Sequence, residues 1–113
     1  ALDNFKTRFI LEDLAIEADI PFIHGGIESW YGQVAVIIPK KTARLKDIFS
    51  GADKDNRTPS IISPAVSVIA SIQVLEGIKV YLDKENFLKN KLLLVDLDSY
   101  TVEKVNIKNA ETK

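Results

Sequence analysis

Cysteine and methionine are both absent from these 113 residues. Without cysteine there is no disulfide, no thiolate zinc site and no cysteine nucleophile. A complete open reading frame begins with methionine, so a chain opening on Ala1-Leu2-Asp3-Asn4 is expected to be processed or cut from something longer. A single histidine rules out a two-histidine metal centre. Charge of one sign is also missing: fifteen Lys and Arg face sixteen Asp and Glu, a net of −1. That balance gives no global field for nucleic acid or an anionic membrane. The basic cluster at Lys40-Lys41, Arg44 and Lys46 is short and interrupted. No uninterrupted apolar run approaches the roughly 20 residues of a membrane span. The first residues do not have the basic-then-apolar pattern of a signal peptide. The expectation is a cytoplasmic protein that engages neither nucleic acid nor membrane.

What is present fits one globular domain over residues 1–113. A chain of this length buries roughly two-thirds of its unfolded surface, enough for a core without staples. Residues 4–19 predict a helix, with Phe5, Phe9, Leu11, Leu14, Ala15 and Ala18 near a 3.6 period, Asp3 at the N-cap position and Pro21 as the stop. Residues 22–24 predict a short strand ending at Gly25-Gly26, and residues 32–38 a second strand rich in β-branched side chains. Arg44 to Phe49 suggests a turn of helix. Residues 50–60 are polar and read as a surface loop. Ser63 as N-cap and Pro64 at the first helical position open the strongest helix, apolar on nearly every face to Leu82 and so expected between layers. Gly77 inside it suggests a close packing contact. Residues 91–96 form a continuous apolar run, expected of a central strand, and residues 100–107 a last strand. The tail 108–113 is polar and expected to fray. The class is α/β, with about four strands and two main helices.

Local catalytic motifs are missing. Gly25-Gly26 and Gly32 match neither G-x-G-x-x-G nor a P-loop, and no serine sits in G-x-S-x-G. The long-range pattern carries more. Asp3-Asn4 with Arg8 gives D-N-x-x-x-R. Pro21 to Gly26, then Gly32-Gln33-Val34, then Gln73, Glu76 and Lys79 follow in order. This set closely resembles the ThiF/MoeB/HesA family, bacterial relatives of ubiquitin-activating enzymes. The resemblance runs from Asp3 to about Ile107 and is carried by joint order and spacing.

That resemblance implies the C-terminal half of a ThiF-like Rossmann-type domain with a mixed sheet. The family's nucleotide loop precedes D-N-x-x-x-R and is not among these residues. The implied parent is an ATP-dependent adenylyltransferase. With ATP and Mg²⁺ it activates the C-terminal Gly-Gly carboxylate of a ubiquitin-like sulfur-carrier protein, and the parent is expected to be a homodimer. By resemblance Asp3 is the catalytic and Mg²⁺-binding residue, with Asn4 and Arg8 beside it on the nucleotide side. Arg8 lies five residues after Asp3, roughly 500° around a helix, which suits a structural or neighbouring polar role. The segment 25–33 matches the place where the family accommodates the carrier's tail. The 113 residues alone are expected not to bind ATP.

Departures from the family pattern sharpen this. Arg44 and Asp47 stand where many members place a C-x-x-C zinc pair, so no zinc site is expected. The position near Asn56, where some members carry a cysteine, rules out a thiol step there. Other readings remain open: a non-catalytic interaction or dimerisation module on the same fold, or activation of a peptide or another carboxylate. His24 reads as a strand residue with a satisfied hydrogen bond, Trp30 and Tyr31 as packing or dimer contacts, and Gln73, Glu76 and Lys79 as fold-internal hydrogen-bonding groups. Carrier and pathway are not encoded here.

Overall fold

A computed structural model describes residues 5–52 and 60–107. Three helices and four strands follow in the order α1 (Phe5–Glu17), β1 (Phe22–Glu28), β2 (Tyr31–Ile37), α2 (Leu45–Ile48), α3 (Ser63–Tyr81), β3 (Lys91–Asp96) and β4 (Thr101–Asn106). The strands form one sheet in the order β1-β2-β3-β4. All three pairings are antiparallel, so this portion of the sheet is not mixed as expected. Short turns after β1 and β3 reverse the chain, and the connection through α3 brings β3 back against β2. Among the described residues, parallel pairing survives only as isolated bridges, Ser29 to Ile61 and Val36 to Lys89.

Strand β2 shows why the apolar run VAVI stands centrally. Val34 and Val36 point to one face, Ala35 and Ile37 to the other, and all four are buried. On the first face Val34, Val36, Leu93 and Val95 pack against Ile69 of α3 and against Leu88. On the second face Phe9 of α1, Ile37 and Leu45 of α2 form another cluster with Phe5, Phe22, Ile48 and Phe49 around it. Strand β3 is interior too, as its composition predicts.

Several local expectations shift. Strand β1 runs on through Gly25 and Gly26 to Glu28, pairing them with Val34 and Gln33 of β2, and each glycine leaves room for a side chain that crosses the backbone closely. The two-residue turn Ser29-Trp30 closes the hairpin, with Ser29 at φ 56°. Helix α1 ends before Pro21: Asp19 takes φ 58° and the Ile20 N–H donates to the Ala15 carbonyl at 2.8 Å. Its inward face is Phe5, Arg8, Phe9 and Glu12, while Leu11 and Leu14 are exposed. Ser63 begins α3 rather than capping it; Ile62 holds the cap position without a side-chain bond. Gly77 has nothing near it, so no close contact explains it.

Helix α3 also departs from a two-sided burial. Only Ala65, Ile69 and Glu76 are buried, and its other face is open. By length and mean composition alone it is apolar enough to cross a membrane, although polar residues interrupt its apolar run and one side lies on the sheet.

Candidate functional site

Helix α1 lays one turn-spaced row of side chains onto β1. Arg8 and Glu12 are four residues apart and therefore share a face. Each uses it differently. Glu12 is fully buried and its carboxylate accepts the backbone N–H groups of Leu45 and of Lys46 (3.3 Å), so it serves as the anionic cap of α2. Burial pushes the Glu12 carboxyl above its ordinary range, opposed by those two N–H bonds. Its neighbour Asp13 reaches Arg44 and Lys46 at 2.6 Å each. The hydrogen bond from Lys46 is the main reason the Asp13 carboxyl lies below its ordinary range.

Arg8 instead reaches strand β1. Its guanidinium carbon stands 5.3 Å from the Phe5 ring centre. A Cβ at Gly26 would sit 3.1 Å from Arg8 Nη1 and 3.1 Å from Gln33 Nε2. Gly26 and Gln33 are direct cross-strand partners. Thus the arginine of D-N-x-x-x-R and the glutamine of G-Q-V, 25 positions apart in sequence, converge over one glycine. Both present N–H donors there.

His24 lies one pleat away on the same face, 1% exposed, with ring contacts of 5.7 Å to Phe5 and 5.4 Å to Phe49. Neither ring nitrogen has a hydrogen-bond partner among the described residues, which corrects the expectation of a satisfied bond. Burial, and then the charge of Arg8, pushes its pKa down to about 3, so the ring is neutral at pH 7.

Phe49 on His24 of β1 and Ser60 on Ser29 of the turn after it, whose N–H donates to the Ser60 carbonyl at 2.7 Å, fix the chain at two points. Residues 53–59, and with them Asn56, lie outside the described residues, as do Asp3, Asn4 and the tail 108–113. Of the proposed site residues the structure therefore places Arg8. Arg44, at the expected zinc-pair position, is held by Asp13, and the Arg44 N–H approaches Asp47 Oδ2 at 3.4 Å. Among the described residues no cluster of three acid or histidine groups could hold a metal. Trp30 and Tyr31 are about half exposed at the hairpin turn.

The second face supports β1 from below. Gln73 Nε2 donates to the Ile23 carbonyl at 3.1 Å, and its amide fills the space a Gly25 side chain would need. Glu76 Oε1 accepts the Leu88 N–H at 2.6 Å, and Lys79 Nζ lies 3.0 Å from Glu76 Oε2. The row Gln73, Glu76, Lys79 is fold-internal, as its spacing predicts.

The ThiF family profile matches residues 1–113. The chain belongs to the ThiF family. It is 37% identical over 90 residues to the sulfur carrier protein ThiS adenylyltransferase of Bacillus subtilis, covering 75% of this chain and 26% of that protein. It is 30% identical over 110 residues to the SAMP-activating enzyme E1 of Haloferax volcanii, covering 93% and 40%. The crystal structure of E. coli MccB with AMPCPP and MccA superimposes with a TM-score of 0.76 at 18% identity, over 96% of this chain and 35% of that one. MccB with ATP gives 0.73 at 17% identity, over 94% and 34%. This ThiF-family chain thus spans between about a quarter and two-fifths of the length of these relatives. In the sequence Gln33 is only one letter of a motif. Its partnership with Arg8 had no signal beyond the joint order of the motifs.

Proposed function

We propose that this chain is part of an ATP-dependent adenylyltransferase that activates the C-terminal carboxylate of a ubiquitin-like sulfur-carrier protein. The observation that carries the reading is the convergence of Arg8 and Gln33 over Gly26, within a chain 37% identical to a ThiS adenylyltransferase. A guanidinium and an amide N–H over a bare backbone suit an extended tail ending in glycines. Such a tail offers carbonyl and carboxylate oxygens and no bulk. In the reaction a carboxylate oxygen attacks the α-phosphorus, an acyl-adenylate forms and pyrophosphate leaves. ATP would supply the adenylyl group, and Mg²⁺ would neutralise charge on its phosphates. Arg8 and Gln33 hold the tail in line, the positioning that converts a bimolecular step into an effectively unimolecular one. Asp3 is the proposed Mg²⁺ ligand and Asn4 its neighbour. Zinc and a thiol step have no part in this reading. The assembly is a homodimer, covering apolar surface such as the open face of α3.

The test is carrier-dependent exchange of pyrophosphate into ATP by the intact protein, using carriers ending in Gly-Gly. Exchange is expected, and Arg8→Ala is expected to raise the carrier KM by about tenfold, the loss of a charged hydrogen bond. No exchange with any such carrier would overturn the proposal.

A further inference from the structure

A concavity opens on the α3 face of the sheet, opposite the face that carries Arg8 and Gln33. It is a half-open recess of about 340 Å³ between the C-terminal half of α3, residues 85–88 and strands β3 and β4. That is at the small end of the range, roughly 300–1,000 Å³, for sites that hold small molecules. Its wall is about half apolar, with Ile72 and Leu75 from α3, Phe87, and Leu93 from β3, and the rest is polar or charged.

The charges around this wall are not equivalent. Glu76 is buried, and both of its oxygens are already committed, one to the Leu88 N–H and one to Lys79. That pair cancels internally. Lys91 and Lys104 differ. Leu93 pairs with Lys104 across β3 and β4, and Lys91 stands two residues before Leu93, so both lysines belong to the same face on adjacent strands. Among the described residues neither has an ion-pair partner, and neither does Glu85, the remaining acid of the lining. Two cations without a direct ion-pair partner, on the same face of neighbouring strands, repel each other mildly, and they outnumber the single unpaired acid Glu85. An anion between them removes that repulsion and gains two charge contacts.

We propose that this recess binds an organic anion. Its phosphate or carboxylate head lies between Lys91 and Lys104, and its apolar or aromatic body lies against Phe87, Leu93 and Ile72. The site is separated by the sheet from Arg8 and Gly26, and the inference does not depend on adenylation.

Calorimetric titration of the intact protein with phenyl phosphate, 3-phenylpropanoate and inorganic phosphate tests it. At least one aromatic anion is expected to saturate a single site, and the tighter of the two identifies the head group. Inorganic phosphate, lacking a body to bury, is expected to bind on the order of tenfold more weakly. The double variant Lys91→Gln/Lys104→Gln is expected to weaken binding on the order of tenfold at an unchanged melting temperature. Glu85→Gln is expected to tighten it, and decides the matter if the double variant does not fold. No saturable binding by either aromatic anion overturns the site, as does equal affinity of inorganic phosphate, an unchanged affinity in the double variant, or no tightening in Glu85→Gln. Pyrophosphate exchange is expected to continue in all these variants, so the two proposals fail separately.

Discussion

His24 is neutral because its ring is enclosed by Phe5 and Phe49 and stands close to Arg8. An unfolded histidine takes a proton near pH 6.5, whereas this one resists protonation down to about pH 3. Between those values the unfolded state binds a proton that the folded state does not. Stability therefore falls as pH drops through that window, by on the order of 1 kcal/mol per pH unit once the unfolded ring is charged. His24→Phe keeps an aromatic ring and removes the proton. Urea unfolding across pH 7 to 4 is expected to lose much of its slope in that variant; an unchanged slope would assign the acid sensitivity to other groups. Gly32 makes a second prediction at this scale. A Cβ there would overlap the side chain of Ile69, itself 1% exposed. Gly32→Ala is expected to cost about 1–3 kcal/mol by overpacking, read as a lower urea midpoint at unchanged m-value.

Elements are joined here by carboxylates that cap or bridge backbone. Glu12 of α1 accepts the first N–H groups of α2, a helix too short to stand on its own. Glu12→Ala leaves those groups buried without a partner, and a loss of about 2–3 kcal/mol is expected in chemical denaturation. A loss below 0.5 kcal/mol, the usual range of a surface change, would remove Glu12 from that role. Helix α3 gives the opposite sign. Nothing approaches Gly77, so Gly77→Ala gains up to about 1 kcal/mol of helix propensity, visible as a higher melting temperature. A drop instead would mean that something packs at Gly77.

The whole molecule is a sheet with two unequal covers. Helix α3 lies along one face, and α1 with α2 covers one end of the other. Both long helices are apolar beyond the faces they bury. On α3 Val74, Ile78 and Tyr81 form an exposed stripe at helical spacing, 62%, 49% and 85% accessible. Such stripes mark surfaces that another body covers. Sedimentation of the chain over a wide concentration range is expected to show self-association, and Val74→Glu with Ile78→Lys to abolish it. A strictly monomeric unaltered chain would count against a second copy as the cover.

The family was legible in sequence because its motifs are ordered along the chain: Asp3-Asn4 with Arg8, Gly32-Gln33-Val34, then Gln73, Glu76 and Lys79. The strands were legible where β-branched and apolar residues run together, as in β2 and β3. Composition also determined that these 113 residues contribute no thiol group of their own. Other features depended on contacts distant in sequence. That Glu12 is interior, that Gly25 and Gly26 continue a strand, that His24 is uncharged, and that Arg8 meets Gln33 all required side chains from remote segments to meet on one sheet. Periodicity records which positions share a face of an element. Only the tertiary structure decided which neighbour covers that face, because burial free energy and hydrogen-bond pairing are settled between elements rather than within them.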